Sequence, residues 1–396
     1  MSTTESAPRG APTRTARRAR VAVAAVFLTN GALFANVVPR YPQLKAELGM
    51  SNAVLGAVVA AMPLGALVAG LFASAAIRRF RSSRVATLGI VAFAAATMLV
   101  AVVPTWFAFA AVMFVLGALD AVIDVAQNAH GLRVQRSYGR SIVNSFHGLW
   151  SVGAVLGGLL GSAAAGLRLP LGVHLAGTAV LFSAVALVAL RFMLPGPEDA
   201  ERAEPAPAVP GAAWRSIRGT ALRMLAALGV LAMCGAFVED AGASWGALYL
   251  TGLDASAATA GLAFVALQGA MTVGRLTGDR AVDRFGQRAV VRTGGLLAAA
   301  GMGVALAFPS IGTALAGFAL AGLGVATLIP AAMHSADELP GLPDGLGLTV
   351  VSWLLRLGFL ASPPLVGLVA DLSSLRVGLL GVVVAGVLTV VLSRRT

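Results

Sequence analysis

The 396-residue chain is 58% hydrophobic and only 12% charged, with a mean hydropathy of +0.86. A water-soluble domain of that composition has too little polar surface to cover itself, so soluble folds and soluble enzymes are excluded. The net charge of +12 would suggest nucleic acid in a soluble protein, but its placement along the chain points to a membrane.

The chain opens on a basic stretch holding Arg9, Arg14, Arg17, Arg18 and Arg20. Arg17-Arg18 ahead of Val21–Leu28 imitates a twin-arginine or secretory leader. The apolar run continues to about Arg40, however, and eleven more runs follow. Residues 1–20 are therefore expected to form a disordered cytoplasmic tail. The runs lie at roughly 21–43, 52–77, 85–103, 106–132, 141–166, 169–190, 222–250, 256–279, 289–308, 311–334, 345–370 and 375–393. About 20 apolar residues in helix cross a hydrocarbon core, so each run predicts a transmembrane helix. The expected fold is an all-α polytopic membrane protein with twelve transmembrane helices in two pseudo-symmetric six-helix bundles, residues 21–191 and 221–393. The 47 glycines, many inside runs, suit close helix packing in lipid. Cys234 is the single cysteine, which excludes an intramolecular disulfide.

Residues 192–220 separate the halves as a cytoplasmic linker. Pro195–Pro210 is rich in Pro, Ala and acid and reads as flexible. Trp214-Arg215-Ser216-Ile217-Arg218, with Arg223 beyond, reads as a short amphipathic helix with Trp214 at headgroup level. Of the 29 Lys and Arg, only Arg40, Lys45, Arg168 and Arg376 fall in the odd-numbered connections, and Arg275 and Arg356 fall inside runs. The rest lie in the head, the even-numbered connections, the central break and the tail. The positive-inside rule then puts both termini and the linker in the cytoplasm of a multi-pass cell-membrane protein. The basic excess is a topology signal, and no nucleic-acid partner is expected.

Ile77-Arg78-Arg79-Phe80-Arg81-Ser82-Ser83-Arg84-Val85 follows run two, and Val282-Asp283-Arg284-Phe285-Gly286-Gln287-Arg288-Ala289-Val290 follows run eight. Three of these nine positions are identical, at equivalent places in the two sixes. Paired six-helix halves are how one large class of secondary transporters is built. The segment from Gly274 and Arg275 through Asp279, Asp283 and Arg284 to Gly286 and Arg288 resembles the loop signature of the major facilitator superfamily (MFS), an Asp-Arg-x-Gly-x-Arg turn between the second and third helices of each half. The first-half copy departs from it, with Arg78 at the Asp position and Arg81 at the Gly position, which argues against a charge relay there. Asn144-Ser145-Phe146-His147-Gly148 through Gly157-Gly158, together with Arg40-Tyr41-Pro42, resemble a bacterial branch near the fucose permeases, most of whose members have no assigned substrate. The resemblance implies alternating access around a central cavity, with helices three, six, nine and twelve at the periphery.

Ionisable residues at membrane depth are costly and face a cavity or a partner. Here they are Asp120 and Asp124 in run four, His147 in run five, Glu239 and Asp240 in run seven, Arg275 in run eight and Arg356 in run eleven. Runs three, six, nine and twelve carry no acid, Lys or Arg in their cores. Asp120 and Asp124 are four apart and share a helix face, extended by Gln127 and Asn128. Paired carboxylates in a poorly hydrated cavity suit reversible protonation, so proton coupling is the leading role; fixed pairing with an Arg and direct substrate contact are the alternatives. Glu239 and Asp240 point about 100° apart and are expected to face different surroundings, one toward the cavity; the pair is the second candidate for proton or substrate binding. Arg356 stays charged at mid-depth and needs a carboxylate, from the protein or from a solute. Arg275 shares a stripe with Gln268, Thr272 and Asp279 and is expected to pair with Asp279 or Asp283, a cytoplasmic latch that includes Arg284.

Asn30, Gln127, Asn144, His147, Trp150, Trp245, Gln268, Ser352 and Arg356 complete the candidate substrate cavity. His147 is a packing residue or a relay. Trp150, Trp245 and Trp353 are stacking surfaces for a ring or lipid anchors. Arg40, near the outer end, is a gate or an anchor, and His130 and His334 read as solvated. No P-loop, metal-ligand cluster or nucleophile elbow occurs, so no cofactor or enzymatic activity is expected. The Gly-Pro pair of drug antiporters is missing from run five, while Pro363-Pro364 stands at the matching place in run eleven. The expected function is proton-coupled movement of a small polar organic solute by a monomer in the lipid bilayer. Efflux of a drug or natural product is the alternative, and a transporter-like solute sensor, which would carry a signalling extension, is a third reading.

Overall fold

The computed structural model describes residues 12–139, 141–196, 198, 219–339 and 346–393. Among them, twelve helices are long and apolar enough to cross a membrane. They are α1 (Arg14–Glu47), α2 (Asn52–Gly70), α3 (Ser82–Ala101), α4 (Trp106–Tyr138), α5 (Val143–Gly166), α6 (Leu171–Leu190), α7 (Ala221–Thr251), α8 (Ala257–Phe285), α9 (Gln287–Ala307), α10 (Ile311–Asp337), α11 (Leu346–Leu372) and α12 (Leu375–Leu392). A tight turn at Val38–Arg40, with Pro39, interrupts α1 before Tyr41. The short helix Ala73–Phe80 links α2 to α3.

Hydroxyl side chains start many of these helices. Thr13, Ser51, Thr105, Ser256 and Ser310 each accept a hydrogen bond from the backbone N–H three residues on, at 3.1–3.2 Å. Each satisfies one of the donors that a helix leaves free at its start. The Thr13 cap corrects one expectation. Residues 14–20 are the first turns of α1 rather than part of a disordered tail, because the cap fixes them and Ala16 and Ala19 are buried. Residues 1–11 and the linker from 199 to 218, with its expected amphipathic helix, lie outside the described residues.

Within the first half, α1 packs on α5, α2 on α4, and α3 on α4 and α6. The second half repeats this with α7 on α11, α8 on α10, and α9 on α10 and α12. The repeat extends to single residues. A Cβ on Gly117 would collide with the Met62 carbonyl, and one on Gly322 with that of Leu267. Both pairs are related by the offset that relates Ile77–Val85 to Val282–Val290, so glycine lets the same two helices touch through backbone in each half.

The loop copies match as well. Gly286 has φ 80° and ψ 149°, and Arg81 at the equivalent place has φ 72° and ψ 147°. Glycine takes that conformation freely, whereas a side chain there costs about 1–3 kcal/mol. Arg81→Gly is therefore expected to raise the thermal midpoint in detergent, although added freedom of the unfolded chain offsets part of the gain. An unchanged or lowered midpoint would refute the strain.

The bundles meet through α2 against α11 and α5 against α8. The end of the molecule that carries Arg14 and Leu392 is called here the terminal end, and the opposite one the distal end. At the distal end the seam is tight. The Asp371 carboxylate accepts the backbone N–H groups of Asn52 and Ala53, at 2.9 and 2.7 Å, and so caps α2 from the other half. Gly56 lies against the Pro363 backbone, Gly367 against the Asn52 carbonyl and the Trp245 ring, and Gly261 against Ser162 and Pro39. Arg40 is buried and donates to the Leu169 carbonyl (2.9 Å) and to Gln43 (2.8 Å), so it anchors α1 to the start of α6.

At the terminal end, His130 is fully buried, not solvated. Its Nδ1 meets Ser82 Oγ at 2.9 Å and its Nε2 accepts the Leu194 N–H at 3.1 Å. Arg133 donates to the Pro195 carbonyl (3.1 Å) and faces Glu198 at 3.7 Å, while Glu198 accepts the Ser82 N–H at 2.8 Å. The chain leaving α6 is thus held against α3 and α4. His334 is exposed, beside Glu338 at 3.6 Å.

Candidate functional site

The tight distal seam and the wider gap below it leave a cavity of about 280 Å³ between the bundles. Its lining comes from α1, α2, α4 and α5 of one half and α7, α8 and α11 of the other, and from none of α3, α6, α9 or α12. The walls are largely apolar and aromatic: Phe34, Val38, Tyr41, Val59, Met62, Phe264 and Phe359. The polar groups are Asp120, Trp150, Glu239, Asp240, Ser244, Gln268 and Arg356. A few polar groups set in apolar walls is the usual make-up of a small-molecule site.

Asp120 projects from the middle of α4, with Asn30 of α1 beside it. Asp240 projects from α7, and its Oδ1 accepts from Ser244 one turn on, at 3.2 Å. Its Oδ2 is buried with no hydrogen-bond donor. The neighbouring Ser362 hydroxyl gives its proton to the Phe237 carbonyl at 3.3 Å. A carboxyl oxygen left in this way has room to carry a proton of its own. The Gln268 Nε2 is likewise buried without an acceptor. Arg356 is exposed to the cavity and has no ion pair or hydrogen bond among the described residues. Trp150 stacks on Phe34, with centroids 6.3 Å apart and planes 27° apart, and offers a flat wall.

Several sequence expectations need correction. Glu239 and Asp240 both line the cavity, because α7 presents its edge and residues about 100° apart reach either side of it. Arg275 pairs with Glu239 at 3.3 Å and not with Asp279 or Asp283. Those two acids and Arg284 are exposed, and Arg284 lies over the Phe285 ring at 5.5 Å. The expected latch is thus not engaged in this conformation. Trp245 is fully buried on α7 against Gly367 of α11 and does not line this cavity.

Asn30, Asp124, Gln127, Asn144, His147 and Ser352 also lie outside the lining. Gln127 and Asn128 donate to Asp124, at 3.3 and 3.0 Å, and the His147 Nε2 meets the Asn128 Oδ1 at 3.0 Å. This polar chain joins α4 to α5 on the terminal side of the cavity. Asp124, Asn144 and His147 are exposed there, so the seam is open on that side. The residues that sequence reasoning missed are the aromatic walls. A signal was present: Phe34, Val38 and Tyr41 recur at helical spacing, Phe264 lies one turn before Gln268, and Phe359 lies one turn after Arg356.

Two like bundles of six membrane helices around a cavity lined from both halves define a membrane transport protein. The family model for the Major Facilitator Superfamily matches residues 23–276, and the chain belongs to that superfamily. It is 31% identical over 372 residues to the membrane protein MosC of Rhizobium meliloti, covering 93% of this chain and 87% of that one. It is 29% identical over 380 residues to an uncharacterized MFS-type transporter of Yersinia pestis, covering 95% of each. Among solved structures, the nucleoside transporter NupG superposes with a TM-score of 0.71 at 15% identity, covering 97% of this chain and 98% of that one. FucP in its outward conformation superposes with a TM-score of 0.62 at 14% identity, covering 96% and 99%. At such identities the structures speak for the fold alone.

Proposed function

We propose that this protein is a secondary active transporter that carries a small polar organic solute through the central cavity by alternating access, driven by protons. The observation that carries this reading is that one cavity gathers carboxyls from opposite halves, Asp120 and Asp240, beside an unpaired Arg356. Proton uptake by the two carboxyls would lower the negative charge facing Arg356, so that proton and solute occupancy favour each other. With both termini cytoplasmic in a cell membrane, the open terminal side is an inward-facing state. Asp279, Asp283 and Arg284 are then the residues poised to latch that side in the alternate state. The protein would act as a monomer.

A thermal-shift screen of the detergent-purified protein against sugars, organic acids, amino acids and cationic drugs tests the site, since binding to the folded state raises apparent stability. Flux of the best hit into proteoliposomes under an imposed pH gradient tests the coupling. Uptake indifferent to the gradient would refute it. Arg356→Gln is expected to weaken an anionic hit about tenfold or more, the usual worth of a charged hydrogen bond. The thermal midpoint without solute should not move, because Arg356 has no ion pair to lose. Retained affinity would remove Arg356 from the site.

Efflux of an amphipathic drug or natural product is the second reading. The aromatic walls at Phe34, Tyr41, Trp150, Phe264 and Phe359 favour it. Hits confined to amphipathic drugs would select it over the polar-solute permease.

A further inference from the structure

A surface cleft of about 750 Å³ lies between α1 and α6, away from the central cavity. Its two walls follow one pattern. Arg14, Arg17, Arg18, Val21, Ala22 and Ala25 line it from α1, and Leu181, Ala184, Val185, Val188 and Ala189 line it from α6, with Phe192 just beyond the helix end. Both sets advance by three, one, three, one and three residues, which is a single stripe on each helix. Ala22 and Ala189 form a buried floor, and Leu181 and Val188 stand exposed as walls. The small residues leave the space between the helices unfilled.

Chemistry changes sharply along its length. The α1 wall is apolar from Val21 to Ala25 and carries three arginines at the terminal end. All three arginines are exposed, and none has an acidic or hydrogen-bonding partner among the described residues. Arg20, on a different face, is already committed to Tyr138, donating to its hydroxyl at 3.0 Å. From Arg18 to Ala25 the helix rises about 10 Å, a good part of one leaflet's depth. An apolar slot of that depth, topped by unpaired guanidinium groups at the membrane surface, matches an acyl chain below a phosphate.

We propose that the cleft between α1 and α6 is a binding site for one anionic phospholipid, with its phosphate on Arg14, Arg17 and Arg18 and an acyl chain along Ala22, Ala25 and Val185. The site lies on the lipid-facing side of the first bundle, where the walls of the transport cavity do not reach. Its occupant would fix the first turns of α1 against the end of α6, and so the terminal end of the first bundle. The proposal does not depend on the transported solute or on proton coupling.

The test uses the full chain, delipidated in detergent, with palmitoyl-oleoyl phosphatidylglycerol and its phosphatidylcholine counterpart as probes. Native mass spectrometry should show one retained phosphatidylglycerol in preference to phosphatidylcholine, and phosphatidylglycerol should raise the thermal midpoint. The triple variant Arg14→Gln, Arg17→Gln, Arg18→Gln should lower phosphatidylglycerol affinity on the order of a hundredfold, at about fivefold for each arginine near the membrane surface. Ala25→Trp fills the slot and leaves the arginines in place; it should also abolish the retained lipid, which diffuse surface charge would not explain. Equal retention of the two lipids, or unchanged phosphatidylglycerol retention in both variants, would overturn the proposal.

Discussion

Gly56→Val is expected to open the distal seam. In the present state a Cβ at that position would collide with the Pro363 carbonyl oxygen, and the atoms in the way are backbone that cannot swing aside. Overpacking of this kind costs about 1–3 kcal/mol, and it falls only on the state in which α2 and α11 touch. The ratio of distally open to distally closed molecules should rise on the order of 5- to 150-fold. Asp371→Asn should act in the same direction through the opposite cause, by weakening the charge-assisted cap that one half places on α2 of the other. Its effect should be smaller, since that carboxylate is exposed to solvent. A cysteine at Ala243, which lines the cavity, reports the change in a Cys234→Ala background. A membrane-impermeant thiol reagent added at the distal face should label it faster in both variants. Unchanged labelling of folded Gly56→Val protein would mean that this seam is not the gate.

Asp120→Asn and Asp240→Asn are each expected to abolish uphill, pH-driven accumulation of solute while leaving solute-for-solute exchange in place. Asparagine keeps the shape and, at position 240, the hydrogen bond from Ser244, but cannot take up and release a proton. Rocking of the loaded carrier needs no net proton movement, so exchange should survive. Asp124→Asn is the informative control. That side chain is exposed outside the cavity and already accepts from Gln127 and Asn128, so its loss should leave pH-driven flux largely intact. If Asp124→Asn alone uncouples transport, the proton path runs through Asn128 and His147 instead. Intact accumulation in both Asp120→Asn and Asp240→Asn would end the proton-coupling proposal.

The twelve spans were legible because an apolar run long enough to cross lipid is a one-dimensional property, and so was the repeat carried by Ile77–Val85 and Val282–Val290. The site was legible in angle but not in depth. Asp120 and Gln127 share a helix face, yet Gln127 sits about 10 Å farther toward the terminal end and turns into protein. Asn144, His147 and Ser352 err in the same direction, each one or two turns below the level of the lining residues on its helix. Trp245 errs in angle instead: five residues beyond Asp240, it points about 140° away, and the helical wheel alone would have removed it. Partners on other helices were out of reach altogether. Nothing in the spacing of α8 says that Arg275 finds Glu239 on α7, that Asp371 caps α2, or that His130 is closed over by Leu194.

The distal seam has a consequence for how such a carrier can change over evolutionary time. Its contacts at Gly56, Gly261 and Gly367 set bare backbone against backbone or against Ser162, Pro39 and Trp245, none of which lines the cavity. The positions that would distinguish one cargo from another, such as Phe34, Trp150, Gln268 and Arg356, take no part in that contact. In the proposed alternating-access cycle, cargo preference and the rocking machinery would therefore draw on separate sets of residues. A lineage can retune the first by ordinary substitution without rebuilding the second, whereas a lesion in the seam should handicap every cargo to a similar degree.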